Sequence, residues 1–171
     1  MARGLRKATL VVHLAVSVGW IGAVVAYLAL DVTTATSEDA EVVRSAYIAL
    51  DSIAQAVLVP LAVASLLSGV LLSLVTKWGL FRHYWVVISL LLTIIAAGVL
   101  FVETRVIVTS ASVAADPTTS TAALRALPST LVHSIGGLIV LLVILVLNVV
   151  KPRGLTRYGW RKEQALERSS V

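Results

Sequence analysis

Four apolar runs, each long enough to cross a bilayer as a helix, constrain this 171-residue chain more than any motif within it. They lie at 9–30, 53–75, 85–102 and 131–150. Each is close to the ~20 residues that span roughly 30 Å of hydrocarbon at a helical rise, and each is far longer than a barrel strand. Backbone in lipid must satisfy its own hydrogen bonds, so runs of this length are helices. With 58% of residues hydrophobic and 13% charged, too little polar surface exists to keep a monomer in water. The expected fold is all-α: an integral membrane, antiparallel four-helix bundle forming a single transmembrane domain over 1–171. Its connections at 31–52 and 103–130 lie on one side, and a basic tail at 151–171 lies on the other.

The first run follows Arg3, Arg6 and Lys7, as a secretory signal would. It is about twice the usual length of a signal's apolar region and lacks a small-residue cleavage pattern, so it reads as a retained first span. Eleven of the fourteen basic residues fall in the N-terminus, the 76–84 loop and the tail, whereas the other side holds only Arg44, Arg105 and Arg125. This asymmetry puts both termini in the cytoplasm and the chain in the inner membrane as a multi-pass protein. The net charge of +5 is then a cytoplasmic surface, suited to anionic lipids. No nucleic-acid motif accompanies it, and self-association into a homo-oligomer is left open. The absence of cysteine excludes disulfides, thiolate metal sites and iron–sulfur clusters.

Local signals refine the picture. Ser37 ahead of Glu38, Asp39 and Glu41 has the look of a helix N-cap followed by acids that suit the helix dipole. Pro60 lies inside the second run, removes a backbone donor and predicts a bend. The segment from Thr104 to Leu127, rich in Ala, Ser and Thr, reads as a connection that is partly helical at most. Trp78, Tyr84 and Trp85 at one boundary and Tyr27 near the other suit interfacial anchoring.

Small and polar residues mark the faces that meet other helices, because lipid offers a hydroxyl no partner. The first run gives His13, Ser17, Trp20, Tyr27 and Asp31. The second gives Asp51, Gln55, Ala62, Ser65, Gly69 and Ser73. The third gives Ser89, Thr93, Ala96 and Glu103, and the fourth gives His133, Gly137 and Asn148. His13 and Ser89 each lie about five residues into their spans, roughly 8 Å deep from the same side, and His133 stands roughly 15–20 Å away along the membrane normal. One haem iron cannot take both histidines. His133 shares its end with Asp51, Glu103 and Asp31, a set that suits a Zn or Cu(II) site, a proton relay or a plain hydrogen-bonded cluster. His83, beside Arg82 and Tyr84, reads as a solvated interfacial residue.

The stretch HLAVSVGWIGAVVAYLAL resembles the first span of the copper-resistance protein D and HemJ-type superfamily, with His13, Trp20 and Gly22 matching its His-x6-Trp pattern near a glycine. HYWVVISLLLT is similar to the HemJ-type third span, which reads Trp-x3-Lys-Leu. Over its whole length, including KPRGLTRYGWRK, the chain resembles an uncharacterised bacterial family of four-span integral membrane proteins, a domain of unknown function. HemJ-type proteins are protoporphyrinogen oxidases, and the resemblance implies haem or a related ligand at His13, with Trp20 and Tyr27 lining its pocket and position 89 opposite. Ser89 stands where that family has Lys, and a hydroxyl does not replace an ammonium as ligand or charge partner. Porphyrinogen oxidation is therefore not expected, and the chain leans away from being an enzyme. Two functional classes follow. One is a haem- or ligand-binding bundle built on His13, Trp20 and Ser89. The other is a non-enzymatic membrane protein of metal handling or assembly, in which His133, Glu103 and Asp51 do the ion work.

Overall fold

A computed structural model describes residues 3–169. It contains α1 (Arg3–Thr36), α2 (Ala40–Ile53), a π-helical turn (Ala54–Leu58), α3 (Val59–Val75), α4 (Tyr84–Ala115), α5 (Thr121–Arg125), α6 (Leu131–Val150) and α7 (Arg157–Ser169). Four helical stretches, Gly4–Thr36, Ala40–Val75, Tyr84–Ala115 and Leu131–Val150, are long and apolar enough to cross a membrane. The all-α, four-span reading therefore holds. α1 packs on α2, α3 and α6, and α4 packs on the same three, so α1 and α4 occupy opposite corners of the bundle. Many large apolar side chains point outward, with Val132 79% exposed, as expected where lipid is the solvent.

The helices outrun the apolar runs, and two segments expected as connections are largely helical. In 31–52, helix gives way only over 37–39. The cap of α2 is Asp39, not Ser37: its carboxylate accepts the amides of Glu41 at 2.9 Å and Val42 at 3.5 Å, whereas Ser37 Oγ accepts only from the Asp39 amide at 3.3 Å. A charged acceptor serving two free amides of the first turn outweighs a single hydroxyl. In 103–130, α4 continues to Ala115, because no glycine or proline interrupts the chain before Pro117 and Ile107, Ser110, Ala111 and Ala114 are buried. The missing amide of Pro60 is accommodated by the π turn just before it, in which the Val59 N–H bonds to the Ala54 carbonyl five residues back.

The α1–α3 seam is close because its residues are small. Ser17 Oγ and Ser65 Oγ are 3.0 Å apart, and His13 Nδ1 lies 3.0 Å from Ser68 Oγ. The His13 ring lies on Gly69, where an added Cβ would come within 3.1 Å of Cε1. Farther along, a Cβ on Gly19 would meet Leu61 at 3.7 Å.

At the end of the bundle that carries His83, α6 stops at Lys151, which adopts a left-handed conformation (φ 48°). The chain then pairs with the connection before α4: the Tyr84 amide donates to the Gly154 carbonyl at 3.2 Å and the Thr156 amide to the Arg82 carbonyl at 2.9 Å. His83, expected as a solvated interfacial residue, is half-buried. Its Nδ1 lies 2.8 Å from the Trp78 carbonyl, and its ring meets Trp78 edge-on with centroids 5.2 Å apart. The ammonium groups of Lys77 and Lys151 lie 5.1 and 5.7 Å from the Trp78 ring, a cation–π arrangement. Thr156 begins α7, accepting the Gly159 amide at 3.1 Å and donating to the Phe81 carbonyl at 2.5 Å. Gly159 is buried against the Arg82 carbonyl, backbone that leaves no room for a Cβ. Gly159→Ala is therefore expected to undock α7, seen as faster tryptic cleavage after Arg157 and Arg161 in detergent while the four long helices stay folded. An unchanged cleavage rate would show that α7 does not depend on this contact.

Candidate functional site

Asp31, near the end of α1, is 1% exposed and lies among hydroxyls. Thr130 Oγ1 donates to its Oδ1 at 2.7 Å and Ser134 Oγ to its Oδ2 at 2.7 Å, contacts that join positions 99 and 103 residues apart. Tyr27, one turn earlier on the same face of α1, places its hydroxyl 3.1 Å from Thr130 Oγ1. The Thr130 hydrogen is committed to Asp31, so Tyr27 is the donor in that contact. The result is a chain from Tyr27 through Thr130 to the carboxylate, with Ser134 as a second donor. No Lys, Arg or His pairs with Asp31 among the described residues.

This network closes one end of a cavity of about 270 Å³ between α1, α4 and α6. Trp20, Val24 and Leu58 form apolar wall on one side, with Ala96, Leu100 and Leu141 opposite. The space exists because α6 contributes Gly136 and Gly137 to the lining, and a Cβ built on either meets nothing within 4 Å. The polar end is formed by Tyr27, Thr130 and Ser134, with Asp31 directly behind them, and by Glu103 and His133. His133 Nδ1 is 3.5 Å from Glu103 Oε1, with the imidazole side chain 51% exposed and the carboxylate 15%. The cavity is thus greasy over most of its length and rich in acceptors at one end, the usual plan of a small-molecule site.

The residues singled out from sequence divide between the two ends. Trp20 lines the cavity, as do Tyr27, Glu103 and His133, whereas His13 and Ser89 do not. His13 belongs to the α1–α3 seam, where Ser68 is its partner. Ser89 is buried on α4 with its hydroxyl unpartnered among the described residues, and the indole N–H of Trp85 one turn before it is unpartnered too. Glu103 and His133 do come together, as the need to pair a carboxylate in lipid requires. Asp51 does not complete a triad with them: no group of three His, Asp or Glu side chains fit to hold a metal occurs among the described residues. Its Oδ1 is buried on α2 without a partner among the described residues. Gln55, expected to face the interior, is exposed. Asn148 bonds back to the Ile144 carbonyl of its own helix at 2.8 Å.

Thr130 and Ser134 were not singled out from sequence. The available signal was their i, i+4 spacing at the start of α6, which places both on one face. In a chain rich in Ser and Thr, that spacing alone does not pick them out.

Fold and site together define a helical protein with four stretches long and apolar enough to cross a membrane and a largely apolar pocket between α1, α4 and α6 that opens outward beside Val132 and Ile95. Comparison with protein-family models, with curated proteins and with solved structures finds no match to this chain.

Proposed function

We propose that this protein is an antiparallel four-helix bundle of the inner membrane, with both termini cytoplasmic, and that it binds a small, mostly apolar molecule in the cavity at its Asp31 end. The observation that carries the binding reading is that cavity: about 270 Å³ of space with apolar walls and a polar cluster confined to one end. The topology is supported by the order of contacts along α1 and α3, where 13 meets 68, 17 meets 65 and 19 meets 61. The basic residues at the opposite end support the sidedness and suit an anionic leaflet. A haem at His13 is less favoured, since one ring nitrogen is engaged by Ser68 and the ring packs on Gly69. A metal at His133 has a single carboxylate beside it.

Filling the cavity tests the reading. The probe 2-phenylethanol is expected to raise the unfolding temperature of the purified protein in proportion to the logarithm of its concentration, by mass action. Gly137→Leu places an isobutyl group in open space and removes a helix-destabilising glycine worth about 1 kcal/mol, so the variant should fold and lose at least tenfold in probe affinity. Equal binding by both forms would place the probe elsewhere. A Soret band in the purified wild type that His13→Ala abolishes would return the ligand site to the other end of the bundle.

A further inference from the structure

The direction of the hydrogen bonds around Asp31 determines what the polar end of the cavity presents to an occupant. A carboxylate only accepts, so the Thr130 hydrogen points at Asp31, and the single Ser134 hydrogen is shared between Asp31 Oδ2 at 2.7 Å and the Leu131 carbonyl at 3.0 Å, acceptors that do not line the cavity. Tyr27 in turn directs its hydrogen at Thr130. Tyr27 and Ser134, which line the cavity, therefore have only oxygen lone pairs left to offer an occupant, and Glu103 adds a carboxylate. No Lys or Arg lines the space, and the single basic side chain there, His133, is half exposed at the rim and already directed at Glu103. One carboxylate, Glu103, thus stands at this end of the apolar pocket together with Tyr27 and Ser134, and a second, Asp31, lies behind the hydroxyls of Thr130 and Ser134.

An occupant with its own acceptor there would meet lone pairs with lone pairs, a costly mismatch between largely apolar walls. An occupant carrying several N–H donors and a positive charge satisfies every group at once. Trp20 and Tyr27 also line the chamber, and aromatic rings attract a cation. The volume limits its size. An apolar cavity of about 150 Å³ holds benzene, so about 270 Å³ admits one ring and a short chain.

We propose that the occupant is a compact hydrophobic ammonium ion, an aryl or branched alkyl body bearing a protonated primary amine. Its body fills the space beside Gly136 and Gly137, and its amine donates to Glu103, Ser134 and Tyr27. Asp31 supplies the second negative charge and, through Thr130 and Ser134, holds the acceptor pattern in place. This rests on the reading of the cavity as a binding site, and it names the ligand class for that site.

Three probes of similar shape separate the two claims: 2-phenylethylammonium, the neutral 2-phenylethanol and the anionic 3-phenylpropanoate, each titrated at pH 7.5 against the full-length protein in lipid nanodiscs. The ammonium is expected to bind at least tenfold more tightly than the alcohol, and the propanoate not measurably. In Asp31→Asn the preference for the ammonium should fall below threefold while the alcohol still binds. Glu103→Gln, nearer the surface, provides the same reading should Asp31→Asn fail to fold. If the wild type binds the alcohol as well as the ammonium, or if both variants keep the tenfold preference, the ammonium proposal is overturned and the cavity remains a binding site for a neutral molecule. If none of the three probes binds, or Gly137→Leu binds them as the wild type does, the binding-site reading fails as well. A lipid acyl chain co-purifying in the chamber and displaced by none of the probes would have the same meaning.

Discussion

Arg44→Ala is expected to cost about 2–4 kcal/mol of stability, one of the largest losses available from a residue outside the apolar spans, because a single guanidinium closes the end of α4. A helix leaves its last carbonyls without intrahelical partners. Here the Arg44 side chain, 14% exposed, donates through Nη1 to the carbonyls of Ala114 and Asp116, the latter at 2.6 Å, and through Nη2 to that of Thr119 at 3.2 Å. Its ion pair with Glu41 at 3.6 Å contributes little, since that carboxylate is 80% exposed. Alanine strands the carbonyls of Ala114 and Thr119, while that of Asp116 keeps the Thr119 amide at 3.1 Å, and it releases the α4 terminus from the first turns of α2. Arg44→Lys should recover only part of the loss, because an ammonium on a flexible stem lacks the fork that spans the three acceptors. Denaturant unfolding in detergent micelles reads both variants. A loss below about 0.5 kcal/mol for Arg44→Ala would mean that water serves these carbonyls as well as the guanidinium does.

Gly69→Leu is the second change with a large expected effect. Even a methyl at this position would stand 3.1 Å from His13 Cε1 and 3.6 Å from Nδ1, and the full leucine must push α1 off α3 or drive the imidazole from its place. Overpacking of this kind costs about 2–3 kcal/mol. The size of the effect depends on what His13 is for. If it is a packing and hydrogen-bonding group held by Ser68, His13→Ala alone should cost about 1 kcal/mol and should relieve most of the Gly69→Leu penalty, a coupling of at least about 1 kcal/mol in a double-mutant cycle. Additive losses would show that the leucine strains the seam elsewhere and that the imidazole is not its obstacle.

Much of this architecture was legible in the residue order. Run length identified the four spans, and the four- and seven-residue spacing of His13, Trp20, Tyr27 and Asp31 on α1 correctly turned Trp20, Tyr27 and Asp31 inward. The pairing of Glu103 with His133 was also readable, since a carboxylate at that depth needs a partner. The ends of the helices were less so. The choice of Asp39 over Ser37 as a cap depends on which amides are left free, and the extension of α4 to Ala115 depends on α2 lying alongside to bury its alanines. A weakly helical sequence of Ala, Ser, Thr and Val becomes helix when a neighbour covers it.

The site divides along the same line. Sequence alone determined that the chain has four runs long and apolar enough to cross a membrane and that polar residues within them gain from meeting one another, because both follow from the cost of placing polar groups in hydrocarbon, although Asp51 Oδ1 and the Ser89 hydroxyl have no partner among the described residues. It did not determine which groups meet. Asp31 could have joined Asp51, Glu103 and His133, yet it bonds to Thr130 and Ser134, and Asp51 stands apart. The space beside Gly136 and Gly137 likewise depends on the residues across from them on α1 and α4, which do not fill it. Span length and polar cost are properties of a segment in its solvent, whereas partners and voids are set by the rotation and register of helices about a hundred residues apart along the chain. Only the tertiary structure fixed these, and with them the site on which the proposed function rests.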